Sequence, residues 1–443
     1  MRILIIGGGA AGVAAALTLC QYPSLQVTLV ETRNRLGGMA DSFMDNNGEY
    51  INYGVQGVHE TFKLTLHMVD VARRQNPDII APIPVSLSSR FVTPYGQWDT
   101  ASSVTSTYWR KFRSMCLEAQ AFPDVYALMT VVDACRSYFI PTRFIDGVLL
   151  PLLALFFGTG NQVAQVPAAL AAQVFRVSEK SNSASLFDLG TDSLITMANM
   201  RTLPPLKLVY AALRDILIEH NVHVLLEHFV SNIAEVNGGV EVNVGVQAMF
   251  FDCVILATQA PDARRLLPPR HRAQTVLAAA TYHDDVTYTH RDTEFMQDMF
   301  NLDPERPFNY YIRSFSRRDI VMGFDVTNYQ KWLRSQVYQT IYLDHVQEPH
   351  ALPSTFIHKA DWHQLGPSVE HLVKCVGRLG KVQGPRIFFA GSYTLFNSHE
   401  VAIMSGISAA QRILWQQTGR VEFPSVWFGP PTDAYNKYVA QMY

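Results

Sequence analysis

Met1–Ile6 is a short apolar run, the pattern of a strand buried on both faces, and it ends in Gly7-Gly8-Gly9-Ala10-Ala11-Gly12. An apolar helical stretch follows, then a second strand, Gln26–Val30, which stops on Glu31. From Thr61 to about Met200 the pattern predicts mostly helix, Thr142–Phe175 for example, broken by polar loops such as Ser178–Ser185. Strand patterns return at Val222–Leu226 and Val230–Val236; Gly238-Gly239 then turns into Val240–Val246, and Phe251–Ala257 is a strongly apolar strand. Between Ala278 and Tyr342, alternating segments such as Thr281–His290 and Ile320–Phe324 predict an antiparallel sheet. Arg386–Ala390 reads as a buried strand, Gly391 as a turn and Asn397–Trp415 as a helix, with Asn397 its N-cap and Glu400 completing a capping box.

The opening strand, glycine turn, helix and second strand have the spacing of a dinucleotide-binding βαβ unit. Gly7 serves the tight turn, Gly9 a close approach by a pyrophosphate and Gly12 the packing of helix on strand. Glu31 falls where a carboxylate accepts the hydroxyls of an adenosine ribose. The βα alternation stops early, so the expected class is α/β with a discontinuous Rossmann-like domain built from residues 1–60, 205–265 and 380–418. Residues 61–204 and 266–379 would form an inserted α+β substrate domain of helices and an antiparallel sheet, followed by an aromatic and proline-rich tail, 419–443.

Composition changes this picture little. Hydrophobic residues make up 48% of the 443-residue chain and charged ones 17%, as in globular proteins, and a net charge of −2 provides no field for nucleic acid or an anionic membrane. The five cysteines are scattered without a CxxC, which suits a reducing compartment. The first strand leaves no room for a signal peptide. The longest apolar stretch, Phe144–Phe157, contains Asp146 and Pro151 and is too short to span a bilayer. A cytoplasmic protein is expected. The nearest histidine pair, His220 and His223, has no metal-binding context, so no metal is expected. Gly158-Thr159-Gly160 lacks the third glycine and the strand of a second nucleotide fingerprint, which disfavours a pyridine-nucleotide reductase.

Glu31-Thr32-Arg33-Asn34-Arg35-Leu36-Gly37-Gly38 resembles the segment after the second strand in the flavin-containing amine oxidase superfamily. That group includes monoamine and polyamine oxidases, protoporphyrinogen oxidase, carotenoid desaturases and a fatty-acid double-bond isomerase. Phe388-Phe389-Ala390-Gly391-Ser392, with Glu400-Val401-Ala402 and Ser405-Gly406, resembles its closing motif, and Val222–Val230 followed by Val254–Thr258 fits its order. Gly158-Thr159-Gly160 before Val166-Pro167-Ala168-Ala169, with Gly54-Val55-Gln56-Gly57, is similar to the isomerase branch.

The resemblance implies non-covalent FAD. Gly7, Gly9, Ala10, Ala11 and Gly12 would wrap its pyrophosphate at the positive end of the first helix. Glu31, with Thr32 and Arg33, would take the adenosine; Gly37, Gly38 and Met39 would lie along the diphosphate and ribityl; Val230 would meet adenine through its backbone. Gly391 and Ser392 would approach the ribityl chain. Backbone N–H groups of the last helix, at His399, Glu400 and Val401, would face the flavin's pyrimidine edge. Three positions depart from the family: Met39 stands where many relatives have Arg or Lys, Ser392 replaces a frequent acid, and no cysteine stands in the matching stretch before Arg386 to link a flavin. Ser398 falls roughly where an amine-caging tyrosine would be, which argues against simple amine oxidation.

Candidate chemistry lies at four side chains. Gln56 could orient a polar group or be a satisfied loop amide; His59 could be a base or a surface histidine. Trp362, beside His363, could stand over the ring or be an ordinary buried indole, and His399 offers its backbone more readily than its imidazole. Tyr310 and Tyr311 could line the pocket or merely pack in a strand, and Arg264 and Arg265 read as a solvated helical face. The expected function is FAD-dependent removal of a hydride from a C–H bond of a small, largely apolar substrate. Double-bond isomerisation of an unsaturated, fatty-acid-like substrate is the first alternative, and a non-catalytic flavoprotein the second.

Overall fold

The computed structural model describes residues 1–100, 107–158, 162–176, 187–189, 195–197, 199–343 and 351–442. Its first layer is built from β1 (Arg2–Ile6), α1 (Ala10–Leu19), β2 (Gln26–Val30), α2 (Lys63–Gln75), α3 (Leu206–Glu219), β3 (His223–Leu225), β4 (Cys253–Leu256), β5 (Ile387–Phe389) and α4 (His399–Thr418). The five strands pair in parallel in the order β3-β2-β1-β4-β5. Strands β1, β4 and β5 are almost entirely buried, which is why they read as apolar runs without alternation. The chain order reverses between β1 and β4, so the carboxyl ends of these two strands, at Gly7 and Ala257, open the crevice where such sheets hold ligands. Helices α1 and α4 pack closely because Gly406 has no side chain: a Cβ there would lie 2.1 Å from the Ala11 carbonyl oxygen.

The second layer is a seven-stranded sheet in the order His358–Gly366, Thr281–His290, Tyr338–Tyr342, Asp319–Asp325, Tyr310–Ser316, Ser89–Thr93, Gly96–Asp99. It is antiparallel except where Tyr310–Ser316 meets Ser89–Thr93. Helices Thr107–Ala121, Val131–Ser137, Leu150–Phe157 and Ala168–Gln173 bury Trp109, Phe112, Leu153 and Phe157 against the sheet's Ile312 and Met322 in a core separate from that of the parallel sheet.

The helical expectation for 61–200 needs correction: Ile83–Ser86, Ser89–Thr93 and Gly96–Asp99 are strands. Ser89–Thr93 is buried on both faces and pairs with a segment more than 200 residues away, so its local pattern has no period of two. Thr142–Phe175 is not one helix either. A π-turn, Ile145–Leu149, joins two helical pieces, and Gly158 ends the second in a left-handed C-cap at φ 57°. Val230 does not belong to the parallel sheet but starts a separate three-stranded meander, Val230–Val236, Gly239–Val244 and Gln247–Phe251. Thr159 and Gly160 and the Ser178–Ser185 loop lie outside the described residues. The tail folds back: Trp427, Phe428, Tyr435 and Tyr438 join the core of the parallel sheet. Among the described residues no helix is long and apolar enough to cross a membrane.

Candidate functional site

A cavity of about 940 Å³ runs from the end of β1, between the two layers, to the apolar wall of the seven-stranded sheet. At its first end the chain of β1 turns through Gly7 at φ 104°, and the Gly7 N–H donates to the Val30 carbonyl at 2.8 Å. Gly9 and Gly38 face each other across the loop. A Cβ on Gly9 would have only the Gly38 Cα within reach, at 4.0 Å, so the glycine leaves an open cradle. Gly12 does something else: its Cβ would lie 1.8 Å from the Gly7 carbonyl oxygen, so it permits helix–strand packing and does not line the cavity.

Glu31 is buried, and its carboxylate accepts from the Gly8 N–H at 2.7 Å, the Arg33 N–H at 2.8 Å and the Thr32 hydroxyl at 3.0 Å. These bonds hold it beside the glycine turn. Gly7, Gly9, Ala10, Ala11, Glu31, Thr32, Arg33, Gly37, Gly38, Met39, Val230, Gly391, Ser392 and His399 all line the cavity. Glu400 and Val401 do not: Val401 is packed in the core and Glu400 points elsewhere.

The capping box expected at Asn397 and Glu400 is not formed. Ser398 is the N-cap of α4, its hydroxyl buried without a partner, while Asn397 Nδ2 donates to Gln364 Oε1 at 2.8 Å. Glu400 instead accepts from the Leu64 and Thr65 N–H groups at 3.0 and 2.8 Å and from the Thr65 hydroxyl at 2.7 Å, capping α2 from across the fold. Those N–H groups lie in the first turn of α2, lack intrahelical partners and attract an anion. Burial still pushes the Glu400 carboxyl above its usual range. Because the Thr65 hydroxyl gives its proton to Glu400, it accepts from His399 Nδ1 at 3.2 Å; His399 Nε2 then accepts from the Tyr210 hydroxyl at 2.6 Å. Burial pulls His399 down to about 4, so the imidazole is neutral.

Gln56, His59 and Trp362 also line the cavity, so the structure brings all four candidate side chains to one chamber. His59 is buried, not a surface residue, and burial lowers its pKa. Its Nδ1 lies 2.7 Å from the Thr61 hydroxyl and 3.2 Å from the Thr61 N–H; where it accepts that N–H, the neutral ring carries its proton on Nε2 as a donor. Trp362 is buried, donates from Nε1 to the Thr287 hydroxyl at 3.0 Å and lies over Gly54, where a Cβ would come within 3.1 Å of its ring. His363 is half-exposed and pairs with Asp284. Tyr310 lines the cavity, whereas Tyr311 packs in a small cluster away from it. Arg264 bonds Gln274 at the surface; Arg265 reaches the cavity rim with its side chain 78% exposed.

Tyr53 and Tyr329, which the sequence reading passed over, belong to this chamber. The Tyr53 ring centroid lies 5.4 Å from that of Trp362, and its hydroxyl donates to Asp41, itself paired with Arg35 at 2.6 Å. Burial pushes the Tyr53 phenol up to about 12. Tyr329 comes in over Gly57, where even a methyl group would collide with its hydroxyl. A glycine inside the Gly54–Gly57 segment was the available signal for that approach. None of the five cysteines lines the cavity, and among the described residues no group of three His, Cys, Asp or Glu side chains is arranged for a metal.

Residues 5–71 match the family model of the NAD(P)-binding Rossmann-like domain. A 55-residue stretch is 49% identical to the FAD-dependent oxidoreductase dbaF of Emericella nidulans; the match spans 12% of this chain and only 12% of that protein's length. Solved structures extend the likeness to nearly the whole chain. A proposed protoporphyrinogen oxidase from Exiguobacterium sp. 255-15 superposes with a TM-score of 0.68 at 15% identity, covering 94% of this chain and 99% of the other. Putrescine oxidase bound to putrescine gives 0.65 at 15% identity, again covering 94% and 99%. A CLA-producing fatty acid isomerase from P. acnes gives 0.62 at 13% identity, covering 94% and 98%. The chain therefore shares the two-layer fold of these solved structures, and its N-terminal part is a NAD(P)-binding Rossmann-like domain.

Proposed function

We propose that this protein is an FAD-dependent oxidoreductase that removes a hydride from a C–H bond of a small, uncharged, largely apolar molecule. The observation that carries the reading is the single cavity joining the Gly7–Gly9 turn and Glu31 to a chamber walled by Trp362, Tyr53, Phe156, Met322, Phe324 and Ile341. Its residues fit the cofactor. The Gly9–Gly38 cradle leaves room for a diphosphate against the N-terminus of α1, the Glu31 carboxylate on the cavity wall would accept the ribose hydroxyls, and the unpartnered Ser398 hydroxyl stands at the start of α4. On this reading residues 1–60, 205–265 and 380–418 would hold the nucleotide and the insertions would supply most of the substrate chamber. Outside those bounds, α2 and the tail pack on the nucleotide layer; inside them, Tyr53 and Gln56 reach the chamber.

Bound FAD would supply a hydride acceptor at the flavin N5. The chain's own groups do the rest. Trp362 and Tyr53, their rings tilted 34° to each other, form an aromatic wall that orients a substrate ring or chain, and the apolar lining keeps water out. His59 offers an N–H from Nε2, and the chain of bonds from Glu400 through Thr65 and His399 to Tyr210 fixes the start of α4.

FAD titration of the purified protein tests the first half of the reading, with one equivalent bound and a weaker fit in Glu31→Ala as the expected result. Anaerobic mixing with uncharged hydrocarbon-rich substrates tests the second: the flavin should bleach and should generate peroxide when air returns. Double-bond migration without net bleaching would transfer the reading to an isomerase, which the same uncharged chamber also suits.

A further inference from the structure

Among the described residues, the charged side chains that line the cavity stand at its nucleotide end. Glu31 and Arg33 follow β2, and Asp262 and Arg265 lie on the helix Ala260–Leu266 that follows β4. Among the described residues, the wall supplied by the seven-stranded sheet and the helical insertion carries none, so an ammonium group placed against those residues would have no counter-charge. What that end of the cavity does carry is Gln56, 8% exposed and set in a cluster of buried amides.

The orientation of those amides is dictated by the backbone of Asn52. Its carbonyl oxygen accepts from Gln330 Nε2 and from Gln339 Nε2, both at 3.0 Å, and its N–H donates to Gln330 Oε1 at 3.0 Å. A backbone carbonyl cannot donate and a backbone N–H cannot accept, so neither glutamine can be turned over. Gln339 uses its second N–H on the Thr289 hydroxyl at 3.2 Å, which leaves its Oε1 to face Gln56. Gln56 must then present Nε2, and it does, at 2.5 Å; its Oε1 accepts from Gln330 Nε2 at 3.4 Å. A primary amide has two N–H donors and two acceptor lone pairs. One of each is taken, and one of each remains on a buried residue that lines the cavity.

We propose that Gln56 determines substrate specificity. Its remaining N–H and lone pair take one uncharged group that both accepts and donates a hydrogen bond, a hydroxyl or a primary carboxamide on an apolar body, with Gln330 and Gln339 as its positioning residues. The proposal rests on the reading of the cavity as the substrate chamber of an FAD enzyme.

Calorimetric titration of the FAD-loaded protein under nitrogen decides it, with benzamide, phenol, toluene and benzylammonium as probes of one ring and four head groups. Benzamide and phenol should bind about tenfold tighter than toluene, the effect of one to two neutral hydrogen bonds, and benzylammonium weakest. Gln56→Leu should erase the tenfold preference while leaving toluene unchanged, and Gln56→Glu should raise benzylammonium above benzamide. If Gln56→Leu does not fold, the ranking in the parent and its inversion in Gln56→Glu still decide. Benzylammonium binding tightest to the parent, or a ranking that ignores residue 56, overturns the proposal. So does a Gln56→Leu protein whose flavin spectrum shifts while its ranking stays, since the amide would then serve the flavin. A preparation that takes up no FAD removes the underlying reading instead, and is recognised by its lack of colour before any probe is added.

Discussion

The Tyr210 hydroxyl donates to His399 Nε2 at 2.6 Å, joining the helix beneath the Gly37 turn to the helix that ends the parallel sheet. The Tyr210 ring sits close enough to Gly37 that a Cβ there would meet it at 3.1 Å, so the bond links the Gly37–Gly38 loop to the first turn of α4. From His399 the chain of hydrogen bonds continues through Thr65 to Glu400.

This chain should be unequal in its links. Glu400→Ala would leave two buried N–H groups and a hydroxyl without an acceptor, a loss of about 3 kcal/mol. Tyr210→Phe removes one donor from one buried nitrogen and should cost about 1 to 2 kcal/mol. Urea midpoints of the two variants should fall in that order; equal midpoints would show that Glu400 is not the anchor.

Acid should destabilise the protein through its buried histidines. Burial holds His290, His371 and His399 down at about 4, against an ordinary value of 6.5. Their neutral forms are favoured by folding, so the stability they contribute is complete above pH 6.5 and is lost as pH falls towards 4, by up to about 1.4 kcal/mol per pH unit for each group. Glu400 and Asp325, raised by burial, act in the opposite sense, so a single substitution is the cleaner measure. His371 Nε2 bonds the Tyr393 carbonyl at 2.7 Å, a contact glutamine can keep. The melting temperature of His371→Gln should fall less steeply between pH 6.5 and 4.5 than that of the parent.

Two glycines of one loop should fail differently. A methyl group at Gly9 meets nothing closer than 4.0 Å, and the residue's extended backbone suits alanine, so Gly9→Ala should melt with the flavin-free parent yet bind FAD at least about tenfold more weakly, because its cradle is filled. Gly12→Ala drives a methyl group into the Gly7 carbonyl and should lose the folded loop itself. Flavin content and the melting temperature of the flavin-free protein separate the two. A Gly9→Ala protein with parental FAD affinity would remove the cradle from the site.

Ending the chain after Gly419 should yield little folded protein. The missing segment buries Trp427, Phe428, Tyr435 and Tyr438 in the core of the parallel sheet, and Tyr438 donates to the Thr394 hydroxyl at 2.8 Å. At about 1.5 to 3 kcal/mol per large apolar side chain, four of them equal the margin of a typical fold. Soluble yield and circular dichroism of the truncated chain check this.

The Rossmann unit was legible because its determinants are local. The Gly7–Gly12 turn, the apolar β1 and β2 and the acid at 31 lie within one βαβ span, and each leaves a mark of composition or period. The strand at Ser89–Thr93 left no such mark, since burial on both faces removes alternation and its partner Tyr310–Ser316 is remote. Glu400 was read as a cap for its own helix because a capping box is defined by spacing alone, and spacing cannot reveal a competing helix end 335 residues away.

The amino-acid sequence by itself determined the glycine turn, the acid beside it, the helix that closes the sheet and the class of fold that contains them. Only the tertiary structure decided that Glu400 caps α2, that His59 is buried, that the tail completes the core and that Gln56 is oriented by Gln330 and Gln339, 274 and 283 residues further along. The difference is physical. Backbone turns and helix periods are set by neighbours in the chain, whereas the partner of a buried polar group is whichever donor or acceptor packing brings within about 3 Å, and that choice leaves no pattern along the chain.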